Sequence, residues 1–307
     1  PLERFWSGSI TATVDDSIVA HVVWTRRLVT GTGVLSETVS YSTVDDQCTS
    51  TVPQDLMEPL PMNVGDYFGV DIDQQDDLVV IAGCLRDLSS GSAFEPLESI
   101  FTLHGEDPQS ASEWELVVNV IEDIDTMSEP NVEIEVEIGE DLLHLLYTSS
   151  RNDTSSEDVL GLWYAHGILG EDSWTYKRAI AVEGSSPTMA VDEVNDEDRI
   201  AIGWIEGEGD SSVLRVIIVD EGFSTINGAS YSVLARGANL AKISERGGAF
   251  YIIHDSVSPI GPVASIGMID PEEGWIGLEN RISSGWIYGV SDRSDGLSLP
   301  YMQQTMA

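Results

Sequence analysis

Apolar residues along this chain fall into two kinds of short run that follow each other in a fixed order. A first run alternates apolar and polar positions, and a second, a few residues later, is apolar almost throughout. The second kind is seen in SIVAHVVW (17–24), DLVVIAGC (77–84), DLLHLLYT (141–148), DRIAIGWI (198–205) and GAFYIIHD (248–255). Each follows an alternating run: SITATV from Ser9, YFGVDID from Tyr67, PNVEIEVE from Pro130, SPTMAVD from Ser186 and ANLAKIS from Ala238. Alternation at period two is the mark of a strand with one buried face, and a continuous run of about 4–8 apolar residues suits a strand buried on both.

A third apolar run closes behind each pair: LSETVSYS from Leu35, ESIFTLHG from Glu98, LGLWYAHG from Leu160, LRVIIVDEG from Leu214 and VASIGMID from Val263. A fourth, often opened by tryptophan, follows at Trp114, Trp174 and Trp275. The runs are rich in β-branched and aromatic residues and are broken by Gly, Pro, Asn and Asp, as strands are. The unit returns every 50 to 65 residues or so, a spacing of propeller blades. The expected fold class is all-β, a β-propeller of four-stranded antiparallel blades, with five or six blades. One domain over 1–307 is expected, with blades near 6–64, 65–128, 129–184, 185–237 and 238–283. Strands in 284–307 either close the ring or begin a sixth blade completed by the segment around Phe5 and Trp6.

Charge changes the picture of where such a fold works. The 307 residues carry 53 Asp and Glu against 14 Lys and Arg, a formal net charge of -39, and Lys177 and Lys242 are the only two lysines. Self-repulsion on this scale destabilises a compact chain unless salt screens it, so the composition predicts a high-salt setting and a halophilic or halovirus source. At 42% hydrophobic with eight tryptophans, the chain has the material for a large core, which argues against disorder. An acidic surface argues against nucleic acid and anionic lipid as partners, and no run approaches the length of a membrane span. The chain opens on Pro1 rather than Met, which predicts a processed product or an excised piece. An extracellular, cell-surface or virion-surface location is expected.

The phrase SSPTMAVDEVNDEDRIAIGW (185–204), with EDSWTY (171–176), resembles repeats of the sialidase-type propeller superfamily. There a serine-proline, an alternating strand and an aspartate lead into the second strand, and a tryptophan begins the last. The Asp-box of that group, Ser-x-Asp-x-Gly-x-Thr-Trp, is not matched at Trp114, Trp174 or Trp275. The resemblance implies the fold. A sialidase would further need three arginines for the substrate carboxylate, a tyrosine nucleophile with its glutamate, and an acidic proton donor, and no segment arranges these recognisably.

Candidate chemistry is sparse. Arg26, Arg27, Arg86 and Arg151 are placed in loops between second and third strands, where guanidinium groups could grip a carboxylate, sulfate or phosphate. Pairing of each with a nearby acid such as Asp87 or Asp153 is the simpler reading. The acidic turns 71–77 and 192–198 offer Asp71, Asp73, Asp76, Asp192 and Asp196 as oxygen ligands for Ca²⁺ or another weakly held cation, though solvated hairpin turns explain them as well. No cofactor is required. Cys48 and Cys84 could form one disulfide between neighbouring repeats, and Asn152 begins a glycosylation sequon. His104 and His166 occupy matching third-strand positions, while His21, His144 and His254 fall inside second strands and read as hydrogen-bonded core histidines.

No Ser-His-Asp spacing, phosphate loop or HExxH phrase occurs. With 53 acids, a carboxylate pair for glycoside hydrolysis is inevitable in sequence and distinguishes nothing. The expected function is therefore a non-catalytic recognition or assembly module, such as a virion spike or receptor-binding protein for host attachment or glycan binding. Its partners would be other surface or virion proteins, a glycan or an acidic ligand. A glycan-cleaving enzyme and a purely structural scaffold are the alternatives.

Overall fold

The structure is a computed structural model. It describes residues 10–14, 19–29, 35–61, 65–75, 77–87, 97–106, 113–124, 133–149, 161–169, 174–181, 184–194, 197–207, 211–234, 241–246, 248–258, 261–271, 274–284, 286–287 and 301–302. The chain is all-β, of β-propeller class, and its described residues form five successive antiparallel sheets. Sheet one holds β1 (Ile10–Val14), β2 (Ala20–Val29), β3 (Leu35–Val44) and the short β4 (Gln54–Asp55) and β5 (Leu60–Pro61), both paired to β3. Sheet two is β6 (Gly65–Gln75), β7 (Leu78–Asp87), β8 (Leu97–Glu106) and β9 (Glu115–Ile124), and sheet three is β10 (Ile134–Ile138), β11 (Leu142–Ser149), β12 (Gly161–Ile168) and β13 (Trp174–Ala181).

Sheet four is β14 (Ser185–Glu193), β15 (Asp198–Glu206), β16 (Val213–Asp220) and β17 (Thr225–Leu234), and sheet five is β18 (Ala241–Arg246), β19 (Ala249–Ser258), β20 (Gly261–Asp270) and β21 (Gly274–Ser284). A two-stranded ribbon, β22 (Trp286–Ile287) with β23 (Tyr301–Met302), follows, and the segment around Phe5 and Trp6 lies outside the described residues. The chain divides into two compact units, Pro1–Val182 with sheets one to three and Glu183–Ala307 with sheets four and five. No helix among the described residues is long and apolar enough to cross a membrane.

The unbroken apolar runs of the second strands have a packing cause. In β7, Val79 and Ile81 enter the core shared with sheet one, which includes Val23, Val39 and Tyr41. Their neighbours Val80, Ala82 and Cys84 point the other way, into the core shared with Leu143, Leu145 and Tyr147 of sheet three. Successive side chains leave a strand on opposite faces, so a strand sandwiched between two sheets must be apolar at every position. In the second unit, Ala201, Leu214 and Val216 of sheet four meet Ile243, Phe250 and Ile252 of sheet five in the same way.

The first strands use their polar positions to tie sheet to sheet. Asp71 Oδ2 accepts the amide of Val136 at 2.9 Å and Asp73 Oδ2 that of Ile138 at 2.7 Å, so β6 caps donors of β10. Thr188 Oγ1 on β14 accepts the amide of Ile243 on β18 at 2.8 Å. Such caps satisfy backbone donors that a sheet edge leaves open.

Two turns between third and fourth strands share one geometry. Asp45 Oδ1 accepts the amides of Gln47 and Thr49, at 3.0 and 2.7 Å, and Asp220 Oδ1 accepts that of Ser224 at 2.7 Å. The fourth residue of each turn is left-handed, Cys48 at φ 61° and Phe223 at φ 59°.

The expected Cys48–Cys84 disulfide is not formed. Cys84 is fully buried on the face of β7 turned toward sheet three, while Cys48 is exposed in the turn after β3. A thiol reagent is expected to titrate one cysteine in the native protein and a second only after unfolding; two rapid native thiols would contradict this packing.

Gly83 on β7 stands opposite Phe101 on β8. A Cβ there would lie 2.5 Å from Phe101 Cζ and 3.0 Å from Val70 Cγ1, and Phe101 is fully buried. Gly83→Ala should cost about 1–3 kcal/mol through this overpacking, read as a lower urea midpoint at constant slope; an unchanged midpoint would show that the ring has room to move.

Candidate functional site

The sequence placed four arginines in loops, and the structure corrects three of these positions. Arg26 and Arg27 lie within β2 and Arg86 within β7, because both strands run on past their apolar stretches. Backbone register sets Arg27 opposite Glu37 and Arg86 opposite Glu98. Arg26 Nη2 binds Asp55 Oδ2 at 2.6 Å, and Ser40 Oγ donates to Asp55 Oδ1 at 2.8 Å, an arrangement that clamps β4 onto β3. Arg151 and Asn152 lie outside the described residues.

The acidic turns are likewise shorter than the sequence suggested. Asp71 and Asp73 belong to β6 and serve the amides of β10, and Asp192 belongs to β14, where it pairs with Arg199. Asp76 and Asp196 lie outside the described residues. Among the described residues no three acidic, histidine or cysteine side chains gather as a metal site. His104 Nε2 meets Thr102 Oγ1 at 3.0 Å in sheet two, and its counterpart His166 belongs to a different group in sheet three.

That group gathers two glutamates, two histidines and a tyrosine along one face of sheet three. β10 reads Ile-Glu-Val-Glu-Ile, with the isoleucines and valine buried toward sheet two and Glu135 and Glu137 half-buried on the opposite face. Register carries this face across the sheet: Glu137 stands opposite His144 and His144 opposite His166, while Glu135 stands opposite Leu146 and Leu146 opposite Tyr164. Side chains directly opposite each other have Cβ atoms about 4.5–5.5 Å apart. His144, Leu146 and Tyr164 are fully inaccessible, and His166 nearly so.

Tyr164 Oη links the two imidazoles, 2.8 Å from His144 Nδ1 and 3.3 Å from His166 Nδ1. A hydroxyl carries one hydrogen, so it donates to one ring and accepts an N–H from the other, which fixes their tautomers relative to each other. The His144 and Tyr164 rings stack with centroids 6.1 Å apart, and His166 stands edge-on to both.

Sheet one repeats half of this motif. His21 Nδ1 meets Tyr41 Oη at 2.7 Å across the same 20-residue spacing, and Tyr41 packs edge-on against Trp114. There the residues opposite His21 are Thr13 and Thr43, so no carboxylate enters the row. The His–Tyr contact thus recurs in sheets one and three, and of these two it is sheet three that sets a glutamate opposite the histidine. Elsewhere in the first unit, burial and the nearby Glu58 carboxylate push the Tyr67 phenol up to about 12, and burial raises Tyr147 further still. The sequence shows the alternation of Glu135 and Glu137, but among so many acids only the cross-strand register singles them out.

No protein-family model matches the chain, and no curated protein matches it. Among solved structures it resembles an exo-1,5-α-L-arabinanase from a bovine ruminal metagenomic library, at 12% identity over 88% of this chain and 95% of that one, with a TM-score of 0.46. A GH43_1 enzyme from Xanthomonas citri complexed with xylose aligns at 10% identity over 98% and 92%, TM-score 0.46. An α-L-arabinanase from Cellvibrio cellulosa complexed with arabinohexaose aligns at 12% identity over 89% and 95%, TM-score 0.44. These neighbours correct the expectation of a non-catalytic recognition or assembly module: they are glycan-acting enzymes, not virion spikes, receptor-binding proteins or host-attachment modules. At this level of likeness, any activity of the chain has to rest on its own residues.

Proposed function

We propose that this chain is a glycoside hydrolase that uses Glu135 and Glu137 as its carboxylate pair. The observation that carries the reading is their placement, half-buried, two residues apart and on one face of β10. A strand rises about 3.3 Å per residue, so their Cα atoms stand roughly 6.6 Å apart. Glycoside hydrolases work with two carboxyl groups about 5–9.5 Å apart, a range that two glutamate side chains leaving one strand face at this Cα spacing can span.

The surroundings suggest a division of labour. Glu135 faces the buried Leu146, an apolar neighbour suited to a carboxyl that carries the proton for the departing oxygen. Glu137 faces an imidazole, which can donate a hydrogen bond to a carboxylate that takes a proton from water. The setting we infer is extracellular and rich in salt, supported by the net charge of -39 and the near absence of lysine. Incubation in molar salt with a panel of polysaccharides and aryl glycosides should release reducing sugar or aglycone from at least one. Silence across the panel with a folded protein would overturn the reading.

A further inference from the structure

We propose that His144 is a positioning residue for Glu137, with its ring held by Tyr164 and, through that hydroxyl, by His166. The inference rests on the glycoside-hydrolase reading for its kinetic consequence, but its structural content stands apart from it. Cross-strand register sets Glu137 directly opposite His144, in reach of a long side chain. The Nδ1 atom of His144 is engaged by Tyr164 Oη, so the orientation of the ring, and with it the direction of Nε2, is set by a partner on β12 rather than by the glutamate. His166, opposite His144 on the same strand as Tyr164, closes the other side of that hydroxyl.

A carboxylate on a first strand has several rotatable bonds, and a fixed imidazole beside it removes some of that freedom. The described neighbours on this face, strand by strand, are Glu135 and Glu137 on β10, His144 and Leu146 on β11, Tyr164 and His166 on β12, and Arg178, in register with Tyr164, on β13. Sheet one supplies an internal control, because His21 makes the same bond to Tyr41 with threonines in place of glutamate. A His–Tyr contact that only closes the blade face should behave alike in both sheets, whereas a positioning role belongs to sheet three alone.

The test uses the full chain in molar salt with ¹⁵N-labelled histidine, whose five rings are assigned by single substitutions. Glu137→Gln should shift the ring nitrogens of His144 and leave those of His21 in place. In kinetics, His144→Asn should lower kcat about tenfold or more with KM changed less than twofold, while His21→Asn lowers the melting temperature without changing kcat. Tyr164→Phe removes only the hydroxyl and serves if His144→Asn does not fold; it should shift the His144 resonance and lower kcat in the same direction. Hydrolysis that depends on Glu137 while His144→Asn or Tyr164→Phe keeps full kcat would overturn the proposal. So would a His144 resonance indifferent to Glu137→Gln, whether or not any substrate is found. A shifted resonance with no hydrolysis by the wild type would instead sink the hydrolase reading and leave the contact between Glu137 and His144 standing.

Discussion

Glu137→Gln is expected to lower the turnover of an unactivated polysaccharide by about 10²–10⁴-fold, the usual contribution of a general base, while the protein keeps its fold and melting temperature. Glutamine preserves shape and can still accept a hydrogen bond, but it cannot take a proton from the attacking water. Glu135→Gln should cause a loss of similar size on the polysaccharide and a much smaller one on aryl glycosides with acidic leaving groups, which depart without protonation. That difference between substrates separates the acid from the base without presupposing which is which. Full activity of both variants on the polysaccharide would remove these glutamates from the reaction.

The second large effect concerns salt. At 1 M the Debye length is about 3 Å, and at 10 mM about 30 Å, so dialysis lets charges spread over the whole chain repel one another. With a net charge of -39 over 307 residues, the compact state should lose most of its stability, seen as the collapse of the strand signal in circular dichroism and recovery on adding KCl. A neutral osmolyte at equal osmolarity should recover much less if screening is the cause. Undiminished thermal stability in 10 mM salt would end the high-salt reading.

The two effects differ in where they could be seen beforehand. Salt sensitivity follows from counting acids and lysines, quantities indifferent to fold. The glutamate pair does not: the run PNVEIEVE announces a strand with one acidic face, yet the sequence contains many acids on strands. Asp71 and Asp73 alternate in the same way on β6 and are occupied by amides of β10. The histidine opposite Glu137 distinguishes the β10 row from the β6 row, where Ala82 and Val80 stand opposite the aspartates, and that depends on register.

The arginines teach the same point from the other side. Reading Arg26, Arg27 and Arg86 as loop residues took the end of the apolar stretch for the end of the strand. A strand continues for as long as its backbone finds a partner, and β3 and β8 supply one opposite all three. The disulfide expectation failed for a related reason, since proximity of repeats does not fix which face of a strand a cysteine occupies.

By itself, the sequence determined the elements of this protein and their order. Period-two patterning and the return of a four-strand unit specify antiparallel blades, because side-chain direction on a strand is a local property. The excess of acid predicts a need for screening, because charge sums without regard to position. Tertiary structure alone decided which side chains meet. Register set Glu137 against His144 and Thr13 against His21, while the packing of sheet on sheet placed Cys84 in a core and gave the aspartates of β6 to the amides of β10. Pairing between strands is fixed by the summed burial of whole faces, and a one-residue slip would exchange every partner.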